Sequence, residues 1–475
     1  MALRINLNTA ALNAHRQLQG TDSALGTSIE RLSSGFRINR AADDPAGLAI
    51  SENLRAQVAG LGQAISNSSD AVNMIRTAEG SLSEIHTILR TMRNLALHAS
   101  NTGTNDTTAI AADQTQINSA LSALNRIASN TQFGNKKLLD GTFGVTGSSA
   151  TPANADFISG TATTVAGTYT VTVNVQATKA SSGASDDISG GAAFAAATGT
   201  LKINNVSVSV TAADDNTTLA AKINAVKDTT GVAATAGGGG ILTLDQVSYG
   251  SAAKIDLTGS TAAVTGVLNF AGGAGPFAGI DADVDIDQTG GASFAGLVGT
   301  GQIVTGTTGA IEGLTVEAAG AAASTAVLTV TNNASKFQIG ANAGQTSSVA
   351  INSVAAINLG VAATGLNNSS WVSIADISVA NYNGAQDAIK LVDAAISQIS
   401  TMRSELGAAQ KDLEANISSL GVAKENIAAS ESSIRDTDMA AEMVTFTRNQ
   451  ILLQAGTAML TQANQAPQAL LGLLK

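Results

Sequence analysis

Asp281, Asp283, Asp285 and Asp287 stand at alternate positions, and their type and spacing could do chemistry. On a strand they would share one face, and four carboxylates on a face could hold a calcium ion. A helix–loop–helix calcium site is excluded, because Ile286 stands where that loop needs glycine and Ala292 where it needs glutamate. The expectation is a solvated strand face. His15, His86 and His98 are scattered and lack the His-Glu-x-x-His spacing that sets two ligands on one helical face. No serine lies in a pattern with a histidine and a carboxylate. Gly237 to Gly240 lack the following Lys-Ser/Thr of a phosphate loop and read as a flexible turn. There is no cysteine, which removes disulfides, thiolate metal sites and thiol nucleophiles. No catalytic residue, metal site or cofactor is therefore expected, and the chain does not read as an enzyme.

The elements carry a stronger signal. From Val392 every seventh residue is apolar: Val392, Ile399, Leu406, Leu413, Leu420, Ile427 and Ile434. Leu54, Leu61, Ser68, Ile75, Leu82, Leu89 and Ala96 repeat the spacing near the other end, broken only by the serine. A strict seven-residue repeat keeps one stripe of a helix facing a partner helix. Outside these runs lie two further series, Ala11, Leu18, Leu25 and Leu32, and Met439, Phe446, Leu453 and Leu460. Between the ends, roughly two hundred residues rich in Gly, Ala, Thr, Ser and Val carry no such repeat.

The predicted elements follow. A first helix stops at Ser33-Ser34-Gly35. A linker ends at Asp43-Asp44-Pro45, with Asp44 as N-cap and Pro45 at the first helical position. Helices are expected over 46–98 and 109–129. Tyr169, Val171, Val173 and Val175 alternate with polar residues and should share the buried face of a strand. In 201–210 the apolar parity flips across Asn204-Asn205, which predicts a two-residue hairpin turn. A short helix at 219–226 and strands at 241–244 and 327–330 should complete one or two small β-rich domains. Two last helices are expected over 385–430 and from 436–438 to the Pro467 region, before an apolar tail. The fold class is α+β and multidomain: long antiparallel coiled-coil helices from both termini, with a β-rich variable middle inserted between them.

Composition narrows the partners. The chain has 475 residues, enough for two to four domains, and a net charge of −11 with 13% charged and 3% aromatic residues. The acidic balance argues against a nucleic-acid binder. No run reaches the ~18 apolar residues needed to span a bilayer. The N-terminus has no apolar signal core, which leaves a cytosolic protein or export that keeps the N-terminus intact. Short terminal helices are marginal alone, and even paired they should expose some of Leu7, Leu12, Phe446, Leu452 and the leucine tail. Self-association into an open helical filament would cover that surface; an intramolecular helical hairpin is the alternative.

Both ends resemble bacterial flagellin. The likeness lies in Ile29-Glu30-Arg31-Leu32-Ser33-Ser34-Gly35, in Asp43-Asp44-Pro45-Ala46-Gly47-Leu48-Ala49-Ile50-Ser51, in Ala71 through Gly80, and in Asn125 to Gly141. It resumes at Phe337 to Gly344, in Ser433 to Ala440, and in Gln450 through Gln465. In the middle, 201–208 with 219–226 and 231–232 is similar to an insert module of flagellins and hook-associated proteins. The resemblance implies a filament subunit for swimming motility, exported unfolded through the flagellar type III apparatus and polymerised at the distal tip. Its localisation would be extracellular. Its partners would be copies of itself, an export chaperone, the filament cap and hook–filament junction proteins, with no nucleic acid and no membrane insertion. It also implies an organisation. Residues 1–44 with 433–475 would form an inner tube and 45–142 with 335–432 an outer tube. Residues 143–334 would form a variable exposed region, with the insert near 199–258. The assembly interface would use Leu7, Leu18, Leu25, Leu32, Leu54, Leu61, Ile75, Leu82, Leu89, Leu406, Leu413, Leu420, Met439, Phe446, Leu453 and Leu460. Asp43, Asp44 and Pro45 would form a hinge.

The chain departs from that pattern in places. Phe36 replaces a usual leucine, Arg40 a small residue, and Gln410-Lys411-Asp412-Leu413 a usual Gln-Asn-Arg-Phe. Gly134-Asn135 reverses the customary Asn-Gly order. Thr91 and Asn94 replace an arginine and a glutamate in the segment read by the vertebrate Toll-like receptor for flagellin, so strong innate-immune activation is not expected. The alternatives are a hook–filament junction protein, a secreted β-rich adhesin, and a flagellin carrying a protease insert.

Overall fold

The computed structural model describes residues 8–188, 198–271, 273, 275–361, 363, 365–366 and 371–473, with side chains of the last helix described to 465. Eight helices are described: α1 (Thr9–Ser34), α2 (Pro45–Ser100), α3 (Thr107–Asn130), α4 (Asn216–Ala225), α5 (Lys227–Thr230), α6 (Ala262–Leu268), α7 (Tyr382–Arg435) and α8 (Met439–Leu473). The chain divides into two compact units. One holds residues 1–69, 338–346 and 413–475, the other 70–337 and 347–412.

Local chemistry sets the helix ends. Gly35 adopts the left-handed backbone (φ 78°) and its N–H donates to Arg31 O, which ends α1. Asp106 caps α3 by accepting from Ala109 N at 2.7 Å. The last helix differs from expectation: α8 runs through Pro467 to Leu473. Proline removes one donor from the helical ladder without obliging the chain to leave it.

In the larger unit the helical stripe is closed. Ile75, Leu82, Ile85, Leu89 and Met92 on α2, Ile117 and Leu124 on α3, and Leu391, Ile399 and Leu406 on α7 are at most 1% exposed. Arg93 pairs with Asp393 at 2.6 Å and Glu79 with Arg403 at 3.5 Å, so α2 and α7 run antiparallel there.

The middle builds two β cores. The first joins a five-stranded antiparallel sheet, in the order 293–298, 283–288, 167–175, 325–332 and 145–149, with a three-stranded sheet of 303–305, 315–318 and 155–159. Tyr169, Val171 and Val173 point into this core as predicted, but Val175 does not. Val173 pairs with Val284 and Val175 with Asp283, so Asn174 is an extra residue and its bulge turns Val175 to the outer face. The second core gathers α4, α6, a three-stranded sheet of 179–184, 242–249 and 232–236, and a hairpin. In that hairpin Asn204 and Asn205 both take positive φ (48° and 70°), as the two-residue turn requires.

Candidate assembly surface

The smaller unit is built on an antiparallel helix pair. Asn8 Nδ2 donates to Ala463 O at 2.9 Å at one end of α1 and α8. Arg31 faces Glu442 across 3.8 Å at the other. Midway, a Cβ on Gly456 would lie only 3.0 Å from Leu18 Cδ1, so the glycine lets the two helices approach. Leu18, Leu25 and Leu32 on α1, and Phe446, Leu453 and Leu460 on α8, are half-buried, while Met439 is exposed. Leu7 and the leucine tail's side chains lie outside the described residues.

The periodicity missed the seam's most buried members, and they are polar. Ser28, Glu442 and Asn449 are at most 9% exposed. Three residues after each of Met439, Phe446, Leu453 and Leu460 come Glu442, Asn449, Gly456 and Ala463. A strong coiled coil has apolar residues at both positions. Here the second is polar or small, and counting it would have marked α1 and α8 as a weakly closed pair.

The other side of α8 is apolar and open. Val444 is 70% exposed and Ile451 60%, and with Met443, Thr447, Arg448 and Leu452 they line a shallow hollow. Leu12 and Ile29 on α1 are about half exposed as well. An exposed apolar patch rimmed by polar residues is the usual mark of a contact surface.

The turn over 36–45 is tied on both sides. Asp44 accepts from Gly47 N at 2.8 Å and Pro45 opens α2, as predicted. A Cβ on Gly47 would overlap the Asp44 carboxylate and approach Ile38 Cδ1 to 2.8 Å, so a larger residue there would have to displace the capping side chain. The Arg40 and Asn39 N–H groups donate to Asp43 and hold its carboxyl below the ordinary value. Across from this turn lies the α7–α8 connection. Arg37 N donates to Arg435 O at 2.6 Å, and Thr437 N to Gly35 O at 3.0 Å. The Arg435 guanidinium sits 4.7 Å from the centre of the Phe36 ring and also pairs with Glu52 at 2.9 Å. Desolvation pushes Glu52 up, but Arg55 and Arg435 outweigh it and the carboxyl falls below its usual value. Arg40 pairs with Glu30 at 3.0 Å. Both unusual residues of the linker, Phe36 and Arg40, thus have partners.

The remaining predicted residues separate by unit. In the smaller unit Leu61 and Leu413 are buried, and Leu54 and Leu420 half-buried. A hollow over Leu61, Ala341, Leu420 and Ile427 includes Asn416, whose Oδ1 is buried without a hydrogen bond among the described residues. In the larger unit Ile75, Leu82, Leu89 and Leu406 are interior. They hold one chain together and present no surface to a second.

The acidic row is not freely solvated. Asp283, Asp285 and Asp287 lie on the strand and Asp281 precedes it, and all are half-buried. Ser251 and Gly301 donate to Asp281 and hold its carboxyl below the usual range. Gly296 N donates to Asp285 at 2.7 Å, and the Ser293 hydroxyl to Asp287. Among the described residues no group of three or more His, Asp or Glu could hold a metal ion. His98 Nδ1 lies 2.6 Å from Oδ2 of the buried Asp113, a pairing between α2 and α3 that the sequence did not mark. No described helix is long and apolar enough to cross a membrane.

Three family patterns match. The bacterial flagellin N-terminal helical region matches residues 5–144, the bacterial flagellin C-terminal helical region 389–474, and the flagellin hook IN motif 197–246. B-type flagellin of Pseudomonas aeruginosa is 34% identical, with all of both chains covered. Flagellin of Bacillus subtilis is 30% identical, again over all of both. A FliC structure from Burkholderia pseudomallei aligns with 72% of this chain and 99% of its own, at 17% identity and a TM-score of 0.26.

Proposed function

The chain belongs to the bacterial flagellins, and from that premise we propose that its paired terminal helices are the surface through which copies join. It is a structural protein, a non-enzymatic subunit of the flagellar filament, an extracellular appendage that serves motility. The junction-protein and adhesin readings give way, because relatives matched along the whole chain are flagellins.

One observation carries the proposal: α8 is open on the side away from α1, with Val444 and Ile451 facing solvent. In the reading we favour, α1 and α8 with 433–438 line an inner tube and the hinge at Asp43, Asp44 and Pro45 sets their angle. The stretches 45–142 and 335–432 form an outer tube, and 143–334 faces solvent. The half-buried leucines Leu18, Leu25, Leu32, Leu453 and Leu460, with Phe446, shape the pair; the outer face of α8 and Met439 meet the neighbour. Export unfolded through the type III apparatus, a chaperone on the C-terminal helices, a filament cap and junction proteins complete this reading. The absence of cysteine supports threading, since no disulfide could block it. Weak activation of the vertebrate receptor belongs to it too, because Thr91 and Asn94 offer neither an arginine nor a glutamate there.

The test is seeded polymerisation of the full chain beside residues 36–435, scored by pelleting and electron microscopy. Filaments from the full chain alone are expected. Equal assembly by the shortened chain would move the joining surface away from the ends.

A further inference from the structure

Three of the seven methionines, Met439, Met443 and Met459, lie on α8 and are 47%, 50% and 64% exposed. Met74 and Met92 in the larger unit are 5% and 0% exposed, Met402 is half-buried, and Met1 is outside the described residues. These three α8 methionines are therefore open to solvent, and Met443 lines the open apolar hollow with Val444, Thr447, Arg448, Ile451 and Leu452. We propose that these three methionines are oxidation sites whose conversion to sulfoxide by a hydroperoxide prevents copies from joining. The inference rests on the assembly reading above.

The chemistry is a two-electron transfer. A thioether lone pair attacks the peroxide oxygen, an S–O bond forms as the O–O bond breaks, and the departing oxygen leaves as water or an alcohol after proton transfer. Sulfur is oxidised and the peroxide reduced. In the free subunit the sulfoxide oxygen stays hydrated, so the fold is little affected. In an interface the same oxygen would be an acceptor stripped of water, which should weaken joining about tenfold per sulfoxide. Filaments should shield the sulfurs that free subunits expose.

The test treats free full-length subunits with dilute hydrogen peroxide, maps sulfoxide by peptide mass spectrometry, and measures the critical concentration for seeded polymerisation. Met439, Met443 and Met459 are expected to oxidise at least about tenfold faster than Met74 and Met92, with the critical concentration rising by at least about tenfold. Methionine sulfoxide reductase should restore assembly, and a triple variant (Met439→Leu, Met443→Leu, Met459→Leu) should polymerise equally before and after peroxide. Normal polymerisation of subunits bearing the three sulfoxides overturns the proposal, as does loss of assembly in the peroxide-treated triple variant. Should that variant fail before treatment, the reductase arm decides, and absence of recovery is contrary. If untreated wild-type chain forms no filaments, the assembly reading itself falls and takes this inference with it.

Discussion

In the larger unit the seven-residue repeat is closed: Ile75, Leu82 and Leu89 on α2 and Ile399 and Leu406 on α7 are shut off from solvent. In the smaller unit the same repeat is left half open. Leu54, Leu420 and Ile427 are partly exposed, the α1–α8 seam alternates leucine with Ser28, Glu442 and Asn449, and the far side of α8 carries bare Val444 and Ile451. Spacing alone therefore marks a stripe and does not say what covers it. The residue at the second seam position, and those on the opposite face, decide whether the stripe is a finished core or a surface awaiting a copy.

Substitutions can break this contrast. Ile451→Asp should raise the critical concentration for polymerisation by at least about 100-fold, because a carboxylate would be buried in the joint. Its melting curve should match the parent's, since Ile451 is 60% exposed. Leu453→Asp should also stop polymerisation while the β-rich middle stays folded, but it should loosen the α1–α8 pair as well, seen as lower helicity.

A matched pair sharpens it. Leu82→Ala should destabilise the larger unit by about 2–5 kcal/mol in denaturant unfolding. Leu420→Ala, seven-residue partner to the same kind of stripe, should cost less than about half as much, because less apolar surface is lost. Equal costs would show the smaller unit to be as closed as the larger. A smaller effect is expected at the start of α2, where Asp44→Ala should cost about 1 kcal/mol through loss of the cap.

The smallest effect depends on pH. Glu317 lies directly across from Asp156 in the three-stranded sheet. Burial and then the Asp156 charge raise its carboxyl above the ordinary 4.5. A raised folded value means the contribution is full below 4.5 and is lost as pH climbs through that raised value. Glu317→Gln should flatten this decline and raise the melting temperature at pH 7 by a few degrees, about 1–4 °C.

Much of this was legible in the residues. Gly35, Asp44-Pro45 and Asn204-Asn205 are local signals whose backbone demands are met within a few residues, so the ends of α1 and α2 and the hairpin fell where expected. Val175 escaped because a bulge flips parity, and a bulge depends on the partner strand. The acidic row read as solvated because its donors, Ser251, Gly296 and Gly301, come from distant or backbone positions. The turn over 36–45 showed only one of its sides. Arg435 meets Phe36 and Glu52 from a position far along the chain, and no local pattern marks such a contact.

The lack of cysteine in the chain allows one residue to be followed alone. Val444→Cys on α8 and, in a second protein, Val298→Cys on the β-rich middle would each be reacted with a maleimide as free subunits and as filaments. Both valines are exposed, at 70% and 68%. The account predicts rapid labelling of both in free subunits, then protection of position 444 and continued labelling of position 298 in filaments. Position 444 labelling at the same rate before and after assembly would contradict it.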